Sequence, residues 1–292
     1  MPFSQPVTEL VKARFSCRTY LERPLEHEAR QLLADFAVST RSGPLGAQAR
    51  FELVAASATD RQALRGLGTY GFIQGATGFI IGATQNAKNS LEDFGYLMER
   101  IVLFATDLGL GTCWLGGSFT KSSFAAKIRA IEGELVPAVA AVGYVANRRG
   151  AIDRLTRFVA RSHSRLPWEQ IFFDSDFGLP LLHERAGAYK VPLEMVRLGP
   201  SAYNRQPWRI LKTANAWHFY LQRPKGYRDR SASRISWSVA DMQRLDMGIA
   251  MCHFELSARE LGLEGRWIVA EPSIRIPGEQ TLYTASWMSG QA

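Results

Sequence analysis

The sequence predicts an α+β fold made of two tandem copies of one α+β unit, packed as a pseudo-twofold dimer within one chain. Three observations carry this expectation. First, residues 93–114 reappear at 246–267. Adding 153 to Asp93, Gly95, Ala105, Leu108, Gly109, Leu110 and Trp114 gives Asp246, Gly248, Ala258, Leu261, Gly262, Leu263 and Trp267. Chance gives about one or two such identities over this span, even though Ala, Leu and Gly are common residues. Second, Gly43-Pro44 and Gly199-Pro200 each follow an apolar helical stretch. Third, segments with helical periodicity are interleaved with short apolar runs that read as strands. Self-similarity of this kind governs every later assignment, so it comes first.

Residues 1–13 read as a short helix. Residues 25–40 carry Leu25, Ala29, Leu32, Leu33, Phe36 and Ala37 at helical spacing, and Ser42-Gly43-Pro44 breaks that helix. Phe51 to Ala55 and Ala76 to Gly82 read as strands. Residues 92–108 form a long helix with Leu97, Ile101, Phe104, Ala105 and Leu108 on one stripe, ended by Gly109 to Gly111. Pro137 to Val145 is apolar almost throughout, as expected of a central strand. Asn147 to Arg165 is rich in arginine without clear periodicity and reads as a surface linker that supplies cations. In the second copy, 190–198 end a helix and 199–208 form a loop. Arg209 to Thr213 and Trp217 to Leu221 are strands, and 239–261 are the counterpart of the long helix. Trp267 to Ala270 and Leu282 to Trp287 close the chain as strands of antiparallel-leaning sheets. The expected halves are 1–165 and 166–292.

With 292 residues, 46% apolar and 21% charged, the chain has the composition of a globular protein of one large or two ordinary domains. No apolar run has the length of a membrane span, and no basic-then-apolar leader pattern is present. Cys17, Cys113 and Cys252 make no C-x-x-C and cannot all pair, which fits a reducing cytoplasm without structural disulfides or metal. The net charge is +8, but the arginines are dispersed and not interleaved with aromatics. That pattern argues against nucleic acid and for phosphorylated small molecules. Gly66, Gly68 and Gly71 spell G-x-G-x-x-G, but they follow Arg61 to Arg65, which reads as helix, so a dinucleotide fold is not supported; no P-loop motif occurs.

Three stretches carry chemistry. In Arg14-Phe15-Ser16-Cys17-Arg18, two arginines flank a serine and can share one phosphate; the bland alternative is a pair of solvated arginines at a helix end. Leu108 to Gly117 spells Leu-Gly-Leu-Gly-Thr-Cys-Trp-Leu-Gly-Gly. Its glycines admit a flat ligand close to backbone N–H donors, although a helix stop and turn needs glycines too. Pro200-Ser201-Ala202-Tyr203-Asn204-Arg205-Gln206-Pro207-Trp208 offers hydroxyl and amide groups on a proline-stiffened loop, more than a capping loop needs.

Together these stretches resemble the nitroreductase family of flavin enzymes, with its R-x-S-x-R, L-G-L-G-T-x-W-x-G-G and P-S-x-x-N-x-Q-P-W segments. Arg165-Leu166-Pro167-Trp168 matches a fourth, Arg/Lys–Pro-Leu segment in looser form. The resemblance covers nearly the whole chain, but the loop that ordinary members carry early lies late here. It is similar to the single-chain subgroup in which one polypeptide mimics a dimer. The first copy keeps R-x-S-x-R and Gly-Gly, and the second keeps the P-S-x-x-N-x-Q-P-W loop. The first has Gly43 to Ala49 without Ser, Asn and Trp; the second has Glu264-Gly265-Arg266-Trp267 where Gly111 to Trp114 stood.

The resemblance implies one flavin mononucleotide (FMN) site per monomeric chain. Arg14, Arg18, Arg165 and Arg161 are implied for its phosphate, with Phe15 and Ser16 adding backbone donors. Leu115, Gly116 and Gly117 are implied along the ring, and Pro200, Ser201, Asn204 and Gln206 across from them. Trp114 reads as core packing. The implied reaction is a ping-pong transfer of hydride from NAD(P)H to an electron-poor acceptor such as a nitroaromatic or quinone. It needs no catalytic side chain, and the five histidines read as structural or surface residues. A non-catalytic FMN carrier or sensor would use the same clamp, and a relic without FMN is disfavoured by the intact loop.

Overall fold

The computed structural model describes residues 2–57, 60–146, 164–224 and 240–290. The chain opens with α1 (Val7–Ala13), started by Pro6, and α2 (His27–Ser39). Of the apolar set expected on α2, Leu33 and Ala37 are buried, Phe36 stacks on Phe104 with ring centroids 4.2 Å apart, and Leu32 is exposed. The apolar stripe is therefore narrower than its sequence suggests, because only one edge of the helix meets the core.

A first sheet follows in the order β1 (Ala49–Ala55), β2 (Gly78–Gln85), β5 (Val139–Gly143), β3 (Gly111–Leu115), with β4 (Glu134–Leu135) on β2; every pair is antiparallel. β5 lies between two partners and is buried at every residue, as its uninterrupted apolar run predicts. Gly111 begins β3 and is not part of the helix stop. Between the strands come α3 (Ser90–Asp107) and α4 (Lys121–Lys127).

The later part of the chain forms β6 (Phe172–Asp174), β7 (Asp176–Pro180), α5 (His183–Ala186), α6 (Lys190–Leu198), β8 (Trp208–Lys212), β9 (Ala216–Gln222), α7 (Met242–Glu260), β10 (Gly265–Ile268) and β11 (Thr281–Ser289). Its sheet runs β10-β11-β9-β8-β6-β7, antiparallel except where β6 lies parallel to β8. β6 and β7 are short and carry no clean alternation, so their sequence does not announce them.

α3 and α7 are the centre of the molecule. Each packs on its own sheet, shown by Phe51 against Phe94 (ring centroids 5.2 Å) and Phe219 against Phe254 (5.3 Å). They meet through glycine. A Cβ on Gly95 would collide with the Leu245 carbonyl, and one on Gly248 with the Glu92 carbonyl. The bare backbone is thus what lets the helix axes approach.

Every repeated identity has a matching task in the two places. Gly109 (φ 73°) and Gly262 (φ 72°) end the helices in left-handed conformation. Leu110 N–H then donates to Ala105 O and Leu263 N–H to Ala258 O, both at 2.9 Å. This double-bonded stop satisfies the last carbonyls of each helix. Leu108 and Leu261 are the capping residues. Asp93 accepts the Leu45 and Ala47 N–H groups, and Asp246 accepts that of Ala202. Trp114 and Trp267 each donate an indole N–H to a buried glutamate, Glu99 and Glu255, at 2.8 Å. Trp114 is therefore anchored by a polar bond as well as by packing.

Candidate functional site

α1 stops at Ala13, and Arg14 turns into extended backbone (φ −63°, ψ 130°). Residues 16–20 then make isolated bridges to three separate places in the chain. Ser16 bridges Thr112 in the parallel sense, Cys17 N–H donates to Thr112 O at 2.8 Å, and Tyr20 N–H to Gln74 O at 2.9 Å. Cys17 is buried, Phe15 is exposed, and the Arg18 carbonyl accepts the Gln74 N–H.

The Arg14 side chain is only 6% exposed, which rules out a solvated surface arginine. Its Nε lies 3.8 Å from Glu99 Oε1 and has no hydrogen-bond partner. Burial lowers its pKa, and Glu99 opposes that only in part. Arg165 stands close enough to Arg14 to feel its charge. Burial first, then Arg14, then Arg197, bring Arg165 down to about 10. The buried Arg14 side chain and the half-buried Arg165 thus place two cations in one neighbourhood.

The 199–208 loop wraps the Arg165 segment. Arg165 donates to Leu198 O (3.0 Å), Ser164 O (3.0 Å) and Asn204 Oδ1 (3.4 Å). Asn204 Nδ2 donates to Ser164 O at 3.0 Å, and Leu166 N–H donates to Gln206 Oε1 at 2.8 Å. Ser201 Oγ accepts the Gln206 N–H at 2.9 Å, and Pro200, half-buried, opens the loop. Tyr203, Asn204 and Gln206 all have positive φ (52°, 54° and 49°). Asn tolerates that region, but Tyr and Gln adopt it only when their surroundings hold them there. Tyr203 is 86% exposed, so the backbone strain serves the loop's shape and not its burial.

Leu115 is buried at the end of β3, paired with Val139. The Met242 thioether occupies the space where a Cβ on Gly116 would sit, while Gly117 faces open space. Met242 and Asp246 are one turn apart on α7, so the Gly-Gly segment and the 199–208 loop meet the same end of that helix. The structure thus brings Arg165, Asn204, Gln206 and Ser201 together with Arg14 near them, and sets Gly116 against the same helix start. Arg161 lies outside the described residues, as does most of the segment read as a linker.

Sequence patterns gave no role to Glu99 and read His253 only as a structural or surface residue. Both are fully buried, on α3 and α7, and bonded to each other. A glutamate within a helix buried on nearly all sides must be paired, and that was the available signal. Among the described residues no helix is long and apolar enough to cross a membrane, and no group of three or more His, Cys, Asp or Glu side chains could hold a metal.

A family model described as "Putative TM nitroreductase" matches residues 6–258. A crystal structure from Thermotoga maritima MSB8, described as a "putative nitroreductase", is similar at 21% identity and TM-score 0.58, covering 97% of this chain and 94% of that one. A nitroreductase family protein from Clostridium difficile 630 aligns at 19% identity and TM-score 0.40, over 55% of this chain and 92% of its own. A nitroreductase with bound FMN from Bacteroides fragilis NCTC 9343 aligns at 19% identity and TM-score 0.39, over 50% and 92%. No curated protein matches.

Proposed function

The chain belongs to the family described as "Putative TM nitroreductase", and on that premise we propose that it is an FMN-dependent oxidoreductase using NAD(P)H to reduce electron-poor acceptors. The buried Arg14, with the half-buried Arg165 near it, carries the reading, because the two concentrate positive charge where a phosphate tail would be neutralised. The residues fit such a group. Arg14 offers a buried Nε without a hydrogen-bond partner, and Arg165 is already oriented by Leu198 and Asn204.

Arg14, Arg18 and Arg165 would hold the phosphate, with the backbone of Phe15 and Ser16 adding donors. Arg161 is a further candidate from its sequence position. Leu115, Gly116 and Gly117 would flank the ring, and Pro200, Ser201, Asn204 and Gln206 would cap the ring and ribityl chain. Bound FMN would supply hydride acceptance from NAD(P)H and hydride delivery to a nitroaromatic or quinone, with donor and acceptor taking turns on one face. No side chain acts as a nucleophile in this scheme. The protein's part is to bind, orient and exclude water.

We read the chain as a duplicated unit, halves 1–165 and 166–292, acting as a monomer that mimics a dimer. The shared 153-residue offset of the helix stops, the loop-anchoring aspartates and the reciprocal Gly95–Leu245 and Gly248–Glu92 approaches supports this. The test is to purify the protein, look for flavin absorbance near about 450 nm, and count FMN per chain. One FMN per chain with NAD(P)H oxidation above that of free flavin supports the reading. Bound FMN without turnover would instead make the protein a carrier or sensor, two FMN would contradict the single site, and no flavin would refute it.

A further inference from the structure

The scheme above leaves unused the stretch Gly66-Leu67-Gly68-Thr69-Tyr70-Gly71, whose spacing spells a nucleotide motif in the wrong context. It follows a single 3₁₀ turn, Arg61–Leu64, and each of its glycines has a backbone reason. Gly66 and Gly71 are left-handed (φ 83° and 76°), and a Cβ on Gly68 would lie 2.6 Å from Thr120 Oγ1. Tyr70 is left-handed as well (φ 49°), and Phe72 N–H closes the turn on Thr69 O at 2.9 Å. Among the described residues nothing accepts from the N–H groups of Thr69, Tyr70 and Gly71. Successive N–H groups left open in such a turn are suited to cradle an anion.

The turn is tied at both ends to the segments read as flavin contacts. At one end, Thr120 N–H and Oγ1 both donate to Gly68 O, at 3.0 and 3.1 Å. Thr120 follows Gly117 by three residues, at most about 11 Å of chain. At the other end, Gln74 N–H donates to Arg18 O at 2.9 Å. Beside Thr120 stands Lys121, half-buried, with its Nζ 5.8 Å from the centre of the Phe119 ring. Among the described residues no oxygen accepts from this ammonium and no carboxylate pairs with it. Burial lowers its pKa, and no carboxylate offsets that. An ammonium in this position gains from any anion that reaches it.

We propose that Lys121 and the Thr69–Gly71 turn bind the phosphate groups of the reduced nicotinamide dinucleotide. The inference rests on the FMN reading above and deepens it, because it gives the donor a hold for its charged part while its ring meets the flavin beside Gly117. Lys121 supplies the charge, and the turn supplies directed N–H donors. The diphosphate bridge and the extra 2′-phosphate of NADPH share the chemistry that this site recognises. No bond is made or broken there.

The test uses the FMN-loaded protein and inorganic pyrophosphate as the probe, with binding read by titration calorimetry. Lys121→Gln should weaken pyrophosphate by about tenfold or more, the loss expected of one charged donor, and Lys121→Arg should stay within about threefold of wild type. Steady-state kinetics give a second readout. In Lys121→Gln the ratio of kcat/KM for NADH to that for a phosphate-free N-alkyl dihydronicotinamide should fall about tenfold, through KM. A larger fall with NADPH than with NADH assigns the 2′-phosphate to the site, and equal falls assign the diphosphate. Either supports the inference, and a merely structural lysine would slow all donors alike.

The inference is overturned if the donor ratio is unchanged, or if Lys121→Gln sheds FMN, which would put the lysine on the flavin's own phosphate. If that variant does not fold, wild type decides: pyrophosphate should compete with NADH. Pyrophosphate that does not bind overturns the inference, and so does binding without competition, which marks an adventitious ion only. Bound FMN with turnover and any of these failures leaves the FMN reading standing. Bound FMN that never oxidises NAD(P)H refutes the donor site alone, and no bound FMN removes both.

Discussion

A single methyl group at Gly248 is expected to force the two central helices apart. A Cβ there would lie 2.6 Å from the Tyr96 amide nitrogen and nearer still to the Glu92 carbonyl oxygen. Non-bonded carbon and oxygen settle at about 3.3 Å or more, so α3 and α7 must separate by about an ångström. The opposing atoms are helix backbone and cannot turn aside as a side-chain tip could. Overpacking of this kind costs about 1–3 kcal/mol, and the upper end applies against backbone. The better helix propensity of Ala returns about 1 kcal/mol. Gly248→Ala should therefore lose about 2 kcal/mol net. Gly95→Ala should lose slightly less, since its nearest carbonyl stands a little farther off. One displacement relieves both clashes, so the double variant should cost clearly less than the sum of the singles. Urea unfolding with an unchanged slope gives these values from the midpoints. A Gly248→Ala protein as stable as wild type, or strictly additive losses, would refute the view that backbone contact at these two glycines sets the helix spacing.

Arg14→Ala and Asn204→Ala should each lower FMN occupancy in the purified protein although they lie 190 positions apart in the chain; an effect from only one of them would break the cross-chain assignment. Asp93 is raised to about 6, chiefly by burial and further by Glu92, against the Leu45 and Ala47 N–H groups. The folded protein thus holds this proton more tightly than the unfolded chain, and its contribution to stability falls as pH rises from about 4 to 6, by at most about 3 kcal/mol. Asp93→Asn removes the titration, so the stability of wild type relative to the variant should decline across that window; an unchanged difference between pH 4 and 7, by urea midpoint, would count against it. Tyr203→Gly should stabilise the protein by about 1 kcal/mol by releasing a left-handed, exposed residue; a lower urea midpoint would show that the tyrosine makes a contact worth more than its strain.

Much of the architecture was legible because it is written in local periodicity. The seven identities at a 153-residue offset located both long helices and their stops, and each repeated residue has a physical task. The nearly continuous apolar run from Pro137 to Val145 announced a central strand, which the structure forms over Val139–Gly143 with partners on both sides. The three chemical stretches were legible as donors and cations. Less was readable where local signals are weak. β6 and β7 are too short to show alternation, and nothing local marks Ser16 as the partner of a strand. Its bridge is made with Thr112, almost a hundred residues away.

The sequence by itself determined the long helices and the chemical character of the three polar stretches, because these depend on residues near one another along the chain; the short helices Lys121–Lys127 and His183–Ala186 left no such mark. Only the tertiary structure decided that Arg14 is buried beside Arg165, that Gln206 and Asn204 clasp residues 164–166, and that His253 reaches Glu99 across the helix pair. Those pairings join residues far apart in the chain, and nothing local distinguishes a glutamate bound for water from one bound for a histidine. The Glu99–His253 pairing spans α3 and α7, whose close approach two glycines permit.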